Sequence, residues 1–444
     1  DRIEYVRGGQ SALYGTDAVG GAVNLRTCET ADSLRLTLRA AGGSYGLAGG
    51  GLTISGATSG LRLNVGAAHE QARGNYLYRA HDGERGLRRE RAHSAYRLSA
   101  LHASAQSEFG PSTRVSVHSF LNQGMRESPG PAVNSAYRDA TLWDREVNII
   151  VQSATSFTVG TLDLSAHYQR GLQRYHDRTP MLLVDAEYDN RRWELAGQWT
   201  QALSKSLLVL VGAEGGWAGL TASDVRAGTS RWHRSVFVGA ELETRTPVPF
   251  VDRSVLYPMV RLDDFSESHR AVSPRLGGNA WLLPEGEVQL RGSVGWSFRV
   301  PNFNELYWID GGNPALRHER AVTADLGAVA LFSLGGQHVV DVSFFEITMD
   351  DRITGWPPVN RGVELGWRWD PDFIVSSFDI HGSYTSAKNL TAQGYGKQLP
   401  FVPRWQLTAT GRVDLGALAL NVTSRSVSRR YTTLDESTAL SVDP

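Results

Sequence analysis

Residues 1–27 read DRIEYVRGGQSALYGTDAVGGAVNLRT, and the fold is decided by how this stretch is punctuated. Two short apolar segments, residues 3–6 and 22–25, flank the glycine pair Gly8–Gly9, a possible helical turn at residues 11–14, and a second pair, Gly20–Gly21. Glycine pairs let the backbone take positive φ and reverse sharply. The stretch therefore predicts strand, turn, helical turn, turn, strand. It has too little apolar mass to be a domain, so it must be the end of one, packed inside something larger.

The runs R-I-E-Y-V-R-G-G, S-A-L-Y-G and A-V-G-G-A-V-N-L resemble, over about 25 residues, the end of the plug domain of TonB-dependent outer-membrane receptors. Those are energy-coupled transporters in which a globular plug fills a β-barrel. The resemblance implies that residues 1–30 are the C-terminal remnant of a plug and that residues 31–444 form a transmembrane antiparallel β-barrel. The remaining sequence provides an independent check.

From Ser33 onward, hydrophobicity alternates with a period of two. Leu34, Leu36 and Leu38 alternate with Arg35, Thr37 and Arg39, and Leu162, Leu164, Ala166 and Tyr168 with Asp163, Ser165, His167 and Gln169. The clearest run sets Val288, Leu290, Gly292, Val294, Trp296 and Phe298 against Gln289, Arg291, Ser293, Ser297 and Arg299. Such runs have one apolar and one polar face. Many extend over about 10–14 residues, the span a tilted strand needs to cross a bilayer, whereas sandwich strands average about 5–6. The connections also sort by length. Short turns fall near residues 57–60, 109–112, 159–160, 284–286, 334–336 and 370–372, and longer loops at 74–91, 125–140, 174–185, 300–318 and 387–403. Short turns on one side and long loops on the other are the polarity of an outer-membrane barrel.

This alternation gives roughly nineteen strands, with a twentieth beginning near Ala439, against about 22 in large plugged transporters. About three strands are then expected beyond Pro444. The start at Asp1, without a methionine or signal peptide, points the same way, to a fragment cut at both ends.

Composition narrows the function. Net charge is −1, so there is no basic footprint for nucleic acid. The one cysteine, Cys28, excludes an intramolecular disulfide and cysteine-based zinc or redox motifs, and reads as a small residue near the plug–barrel link. No stretch is long and apolar enough for a membrane helix, which says nothing against a barrel. No spacing suggests a catalytic triad or metal cluster, so no enzyme, cofactor or metal is assigned. His81, Asp82 and Glu84 share a loop but lack EF-hand spacing. The glycine-rich residues 42–51 precede a strand and carry no G-K-[ST], so they are not a phosphate loop.

The polar face carries Arg35, Arg39, Arg62, Arg114, Asp163, Arg291 and Arg412. Facing lipid, each charge would cost about 2–4 kcal/mol at mid-membrane, so they are expected to face the lumen. Two further stretches are similar to the same family: residues 295–319, with G-W-S-F-R-V-P, F-N-E-L-Y-W and N-P-A-L-R-H-E, and N-R-G-V-E-L at 360–365. Phe298 and His318 stand where the family has tyrosine and proline. The resemblance implies a plug–barrel lock of Arg7 with Glu319 and Glu364, in which a guanidinium offsets the repulsion of two nearby carboxylates. The loop aromatics Tyr76, Tyr78, Tyr137, Trp308 and Trp356 belong either to an external binding vestibule or to the interfacial aromatic girdle.

What the resemblance implies is TonB-dependent active transport of a scarce solute across the outer membrane of a Gram-negative bacterium. The solute would be of the iron–siderophore, haem or cobalamin type, with a lean toward vitamin B12 and small iron chelates. The partners would be the TonB energy-transducing complex, through the missing N-terminal plug segment, and outer-membrane lipids. The rival readings are a passive porin and, further off, an outer-membrane hydrolase.

Overall fold

The computed structural model describes residues 2–26, 33–79, 88–130, 138–179, 183–245, 251–267, 269–282, 287–353, 358–372, 376–391 and 394–440. Residues 2–26 form a hairpin of their own. The strands Arg2–Arg7 and Gly21–Arg26 pair antiparallel, from Arg2 opposite Arg26 to Arg7 opposite Gly21. Between them lies the one-turn helix Ser11–Tyr14. Gly8 and Gly15 take positive φ, 74° and 73°, where a side chain would be strained.

Around this hairpin stand nineteen strands in one sheet, each paired with the next along the chain. They run up and down from Arg35–Gly43 to Ala419–Val427 through antiparallel ladders. The sheet curls into a barrel, and among the described residues no ladder pairs its first strand with its last. That seam differs from the other junctions. With an odd number of alternating strands the two end strands run in the same direction, and both are exposed along nearly their whole length.

The strands outrun the bilayer. Val184–Ser204 has 21 residues and Gly160–Asp177 has 18, longer than the 10–14 expected from membrane span alone. Their ladders continue past the hydrocarbon into water on the long-loop side. Ala439 does not open a twentieth barrel strand. It pairs with Tyr431, and Leu440 with Arg430, in a small sheet among the loops.

Alternation sorts the faces as expected. Leu164, Leu195, Val236, Leu262 and Val272 are exposed on the outside, where hydrocarbon replaces water as solvent. Aromatic rings cluster near both rims of that band. Trp193 and Trp232 meet edge to face at 5.2 Å near the long-loop rim. Near the short-turn rim, Phe332, His338 and Trp369 stack, with centroids 4.8 and 5.8 Å apart. No described helix is long and apolar enough to span a membrane. Inside, Arg291 pairs with Asp341 at 2.5 Å, and Arg412 with Asp414 at 3.0 Å.

Candidate functional site

The tip of the hairpin docks on the inner wall and buries its polar groups there. Gln10, Ser11 and Ala12 are at most 1% exposed. Three wall contacts follow the tip upward. The Gly9 amide donates to Thr323 Oγ1 (2.9 Å), the Phe298 amide to Ser11 Oγ (3.3 Å) and the Val300 amide to Thr16 Oγ1 (3.0 Å). The Asp17 amide donates back to the Phe298 carbonyl at 3.0 Å. Asp17 makes this bond with φ 74°, a conformation aspartate tolerates better than most residues. Its carboxyl meets lumen water, yet lost solvation beside the wall raises its pKa, against the pull of the Thr16 hydroxyl and of Arg299, Arg192 and Arg231.

Beneath the tip, Arg261 donates to Asp263 (2.9 Å), Ser235 (2.7 Å) and Glu214 (2.5 Å), and lies over the Phe237 ring. The guanidinium is almost wholly buried, so these contacts replace the water it has lost. Beside it, Phe265, Phe298 and Val300 form a small apolar cluster.

Above the tip, residues 300–318 fold over the rim. The helix Phe303–Tyr307 starts with a reciprocal cap, Asn302 accepting from the Glu305 amide and Glu305 from the Asn302 amide. Arg299 ties this helix to the wall, bonding Glu305 at 3.0 and 3.1 Å and Glu319 at 2.9 and 3.0 Å. Arg231 pairs with Glu267 (2.8 Å), donates to the Pro301 carbonyl (2.8 Å) and lies over the Phe303 ring. His318 packs edge to face with Phe298 and His269 and accepts from Arg320 at 3.3 Å. Lost solvation, with Arg320 and His269 nearby, lowers the His318 pKa. Burial and Arg231 lower that of His269.

The expected site residues fall as follows. The side chain of Arg7 lies outside the described residues, as do Tyr137, Trp356, His81, Asp82, Glu84 and Cys28. Glu319 is engaged by Arg299 and by the Ile353 amide. Glu364 stands opposite Ser343, and Ser343 opposite Gly327, eight positions along the strand from Glu319. The register thus sets the two acids about 26 Å apart along the strands, at about 3.3 Å per residue. They do not stand side by side as the lock implied by the resemblance would have them. Glu364 instead lines a lumen cavity of about 760 Å³ that also touches Val6 and Gly8, on either side of Arg7.

Tyr76 packs edge to face with both Tyr45 and Tyr78, at 6.2 and 6.4 Å. Trp308 bridges to Val225 across the rim. All four sit in loops or in short elements between barrel strands. The Tyr76 and Trp308 loops stand ten strands apart along the nineteen-stranded sheet, on opposite sides of the mouth. No group of three or more His, Cys, Asp or Glu suited to a metal occurs among the described residues. Sequence reasoning missed Arg261, Arg231 and Arg299. The alternation R-L-D at 261–263 and the N-x-x-E spacing at 302–305 were the available signals.

Residues 31–443 match the family described as TonB dependent receptor-like, beta-barrel. The vitamin B12 transporter BtuB of Photobacterium profundum is 24% identical over 418 residues, covering 89% of this chain and 61% of its own length. The chain thus spans about three-fifths of that curated relative. Among solved structures, the siderophore receptor PirA of Pseudomonas aeruginosa superposes with a TM-score of 0.72 at 16% identity, covering 96% of this chain and 78% of its own. The ferric yersiniabactin uptake receptor FyuA of Yersinia pestis gives 0.74 at 14% identity, covering 98% and 75%. At these identities, the superpositions establish the fold.

Proposed function

The chain belongs to the TonB-dependent receptor-like β-barrel family, transport proteins of the Gram-negative outer membrane, and on that premise we propose that it serves energised uptake of a scarce solute. The solute class is cobalamin first, in line with the vitamin B12 transporter relatives, and a small ferric chelate second. The observation carrying this reading is the hairpin tip seated inside the wall by a few amide–hydroxyl bonds. Each such bond is worth only about 0.5–1.5 kcal/mol net, so a pulled plug can leave its seat without unfolding the barrel.

The solute would be captured between loops carrying Tyr76 and Tyr78 on one side and Trp308 on the other. Release to the periplasm would follow when the TonB complex pulls on the plug. The lock is assigned to Arg7 and Glu364, because Val6 and Gly8 line the same cavity as Glu364. Glu319 serves instead to anchor residues 300–318 through Arg299.

The test uses the full-length protein in cells lacking their own receptors for these solutes. Uptake of labelled cyanocobalamin and of a ferric siderophore is measured with and without TonB. Saturable, TonB-dependent uptake of either is expected. Uptake that persists unchanged without TonB would replace this reading with a passive porin, and esterase or protease activity in the purified protein would support a hydrolase.

A further inference from the structure

The outward face changes character on the long-loop side. Along Gly160–Asp177 the lipid-facing positions read Leu162, Leu164, Ala166 and Tyr168, then Arg170, Leu172 and Arg174. The neighbouring strands change with it. Tyr168 stands opposite Trp193, Arg170 opposite Arg191, and Arg174 opposite Glu187. On the other side, Arg145 stands opposite Leu172 and Trp143 opposite Arg174. Trp143 continues through Met125 to Arg97. Five arginines therefore lie on one sheet face directly above the hydrocarbon band.

Arg170 and Arg191 are like charges directly across a ladder, an arrangement that is unfavourable alone. Asp189 holds both, at 3.0 and 2.7 Å. One carboxylate between two guanidiniums leaves a positive excess and several N–H donors fixed in direction. Arg174 is paired with Glu187 at 3.0 Å. Arg97 and Arg145 are exposed and have no ion-pair partner among the described residues. The patch thus sets five arginines against Asp189 and Glu187, with Glu127 two positions beyond Met125 on the long-loop side.

We propose that this outward arginine patch binds the phosphorylated headgroup of an outer-leaflet lipid, with the acyl chains on the apolar strip through Leu121, Val147, Ile149 and Tyr168. Charge complementarity and continuity with the lipid-facing surface select that occupant. Guanidiniums bind phosphate through paired N–H bonds, and basic side chains at a membrane rim attract anionic headgroups.

The test is native mass spectrometry of the full-length protein in detergent, with lipid A carrying two phosphates, phosphatase-treated lipid A, and inorganic phosphate. Phosphorylated lipid A is expected to bind about tenfold more tightly than its treated form. Arg97→Gln with Arg145→Gln, which breaks no ion pair, is expected to weaken it by a similar factor. Arg170→Gln with Arg191→Gln adds to that loss, and Arg245→Gln at the opposite rim leaves binding unchanged. Equal binding of the treated lipid, or indifference to the patch variants, overturns the proposal. So does displacement of the lipid by inorganic phosphate at equal concentration, which would mark a free-anion site. A fall in dimer fraction without lipid loss would mark an interface between copies and overturn it too.

Discussion

Gly15 stands against the guanidinium of Arg261: a Cβ built on it would lie 3.1 Å from Nη2. Its φ of 73° and ψ of −145° form a pair that side-chain-bearing residues rarely adopt. Gly15→Ala is therefore expected to weaken hairpin docking by about 1–3 kcal/mol. Faster limited proteolysis within residues 2–26, with barrel melting unchanged, would show it. Equal proteolysis in variant and parent would contradict the close approach.

The Gly9 amide and Thr323 hydroxyl are both buried. Thr323→Val keeps the shape and removes the acceptor, leaving an orphaned amide at a cost of about 1–3 kcal/mol. Thr323→Ser keeps the bond. Hydrogen exchange at Gly9 should quicken roughly tenfold or more in the valine variant and stay near parental in the serine variant. Similar exchange in both would mean that the hydroxyl does not hold the hairpin.

Arg299 spans two carboxylates from a position about one quarter exposed. Loss of a buried pair costs about 3–5 kcal/mol, less where water reaches it, so Arg299→Ala is expected to cost about 2–3 kcal/mol. Lysine cannot reproduce the fork. Both variants should expose residues 300–318 to proteolysis while leaving the barrel's resistance to heat intact. An unaffected loop in both would remove Arg299 as its anchor.

His318 has a depressed pKa and accepts a hydrogen bond, so its folded environment favours the neutral ring. The unfolded ring takes a proton near pH 6.5, while the folded one resists until lower pH. The contribution is thus absent above about pH 6.5 and increasingly destabilising as pH falls below it. Hydrogen exchange in residues 300–318 should rise between pH 7.5 and 5.5 after correction for intrinsic rates. His318→Gln should flatten the change, and an equal rise in that variant would assign it elsewhere.

The wall was legible in the sequence because lipid selects every second residue locally, as in residues 288–299. The hairpin was legible because its glycines sit where the backbone reverses. Strand ends were not: ladders such as Val184–Ser204 continue into water, where alternation no longer measures the bilayer. Ion pairs were not legible either. Arg261 meets Glu214 across 47 positions of chain, and only the register of the intervening strands brings them together. The rim arginines were hidden by the mid-membrane argument that charges must face the lumen, which lapses where the outward face leaves hydrocarbon.

The most direct test links the hairpin to the wall. In full-length protein with Cys28→Ser, cysteines replace Thr16 and Val300, whose hydroxyl and amide lie 3.0 Å apart. Oxidation in intact cells is expected to cross-link the pair and stop TonB-dependent uptake, and reduction to restore it. Failure to cross-link, or full uptake with the bridge formed, would contradict a plug seated in this wall that must move for transport.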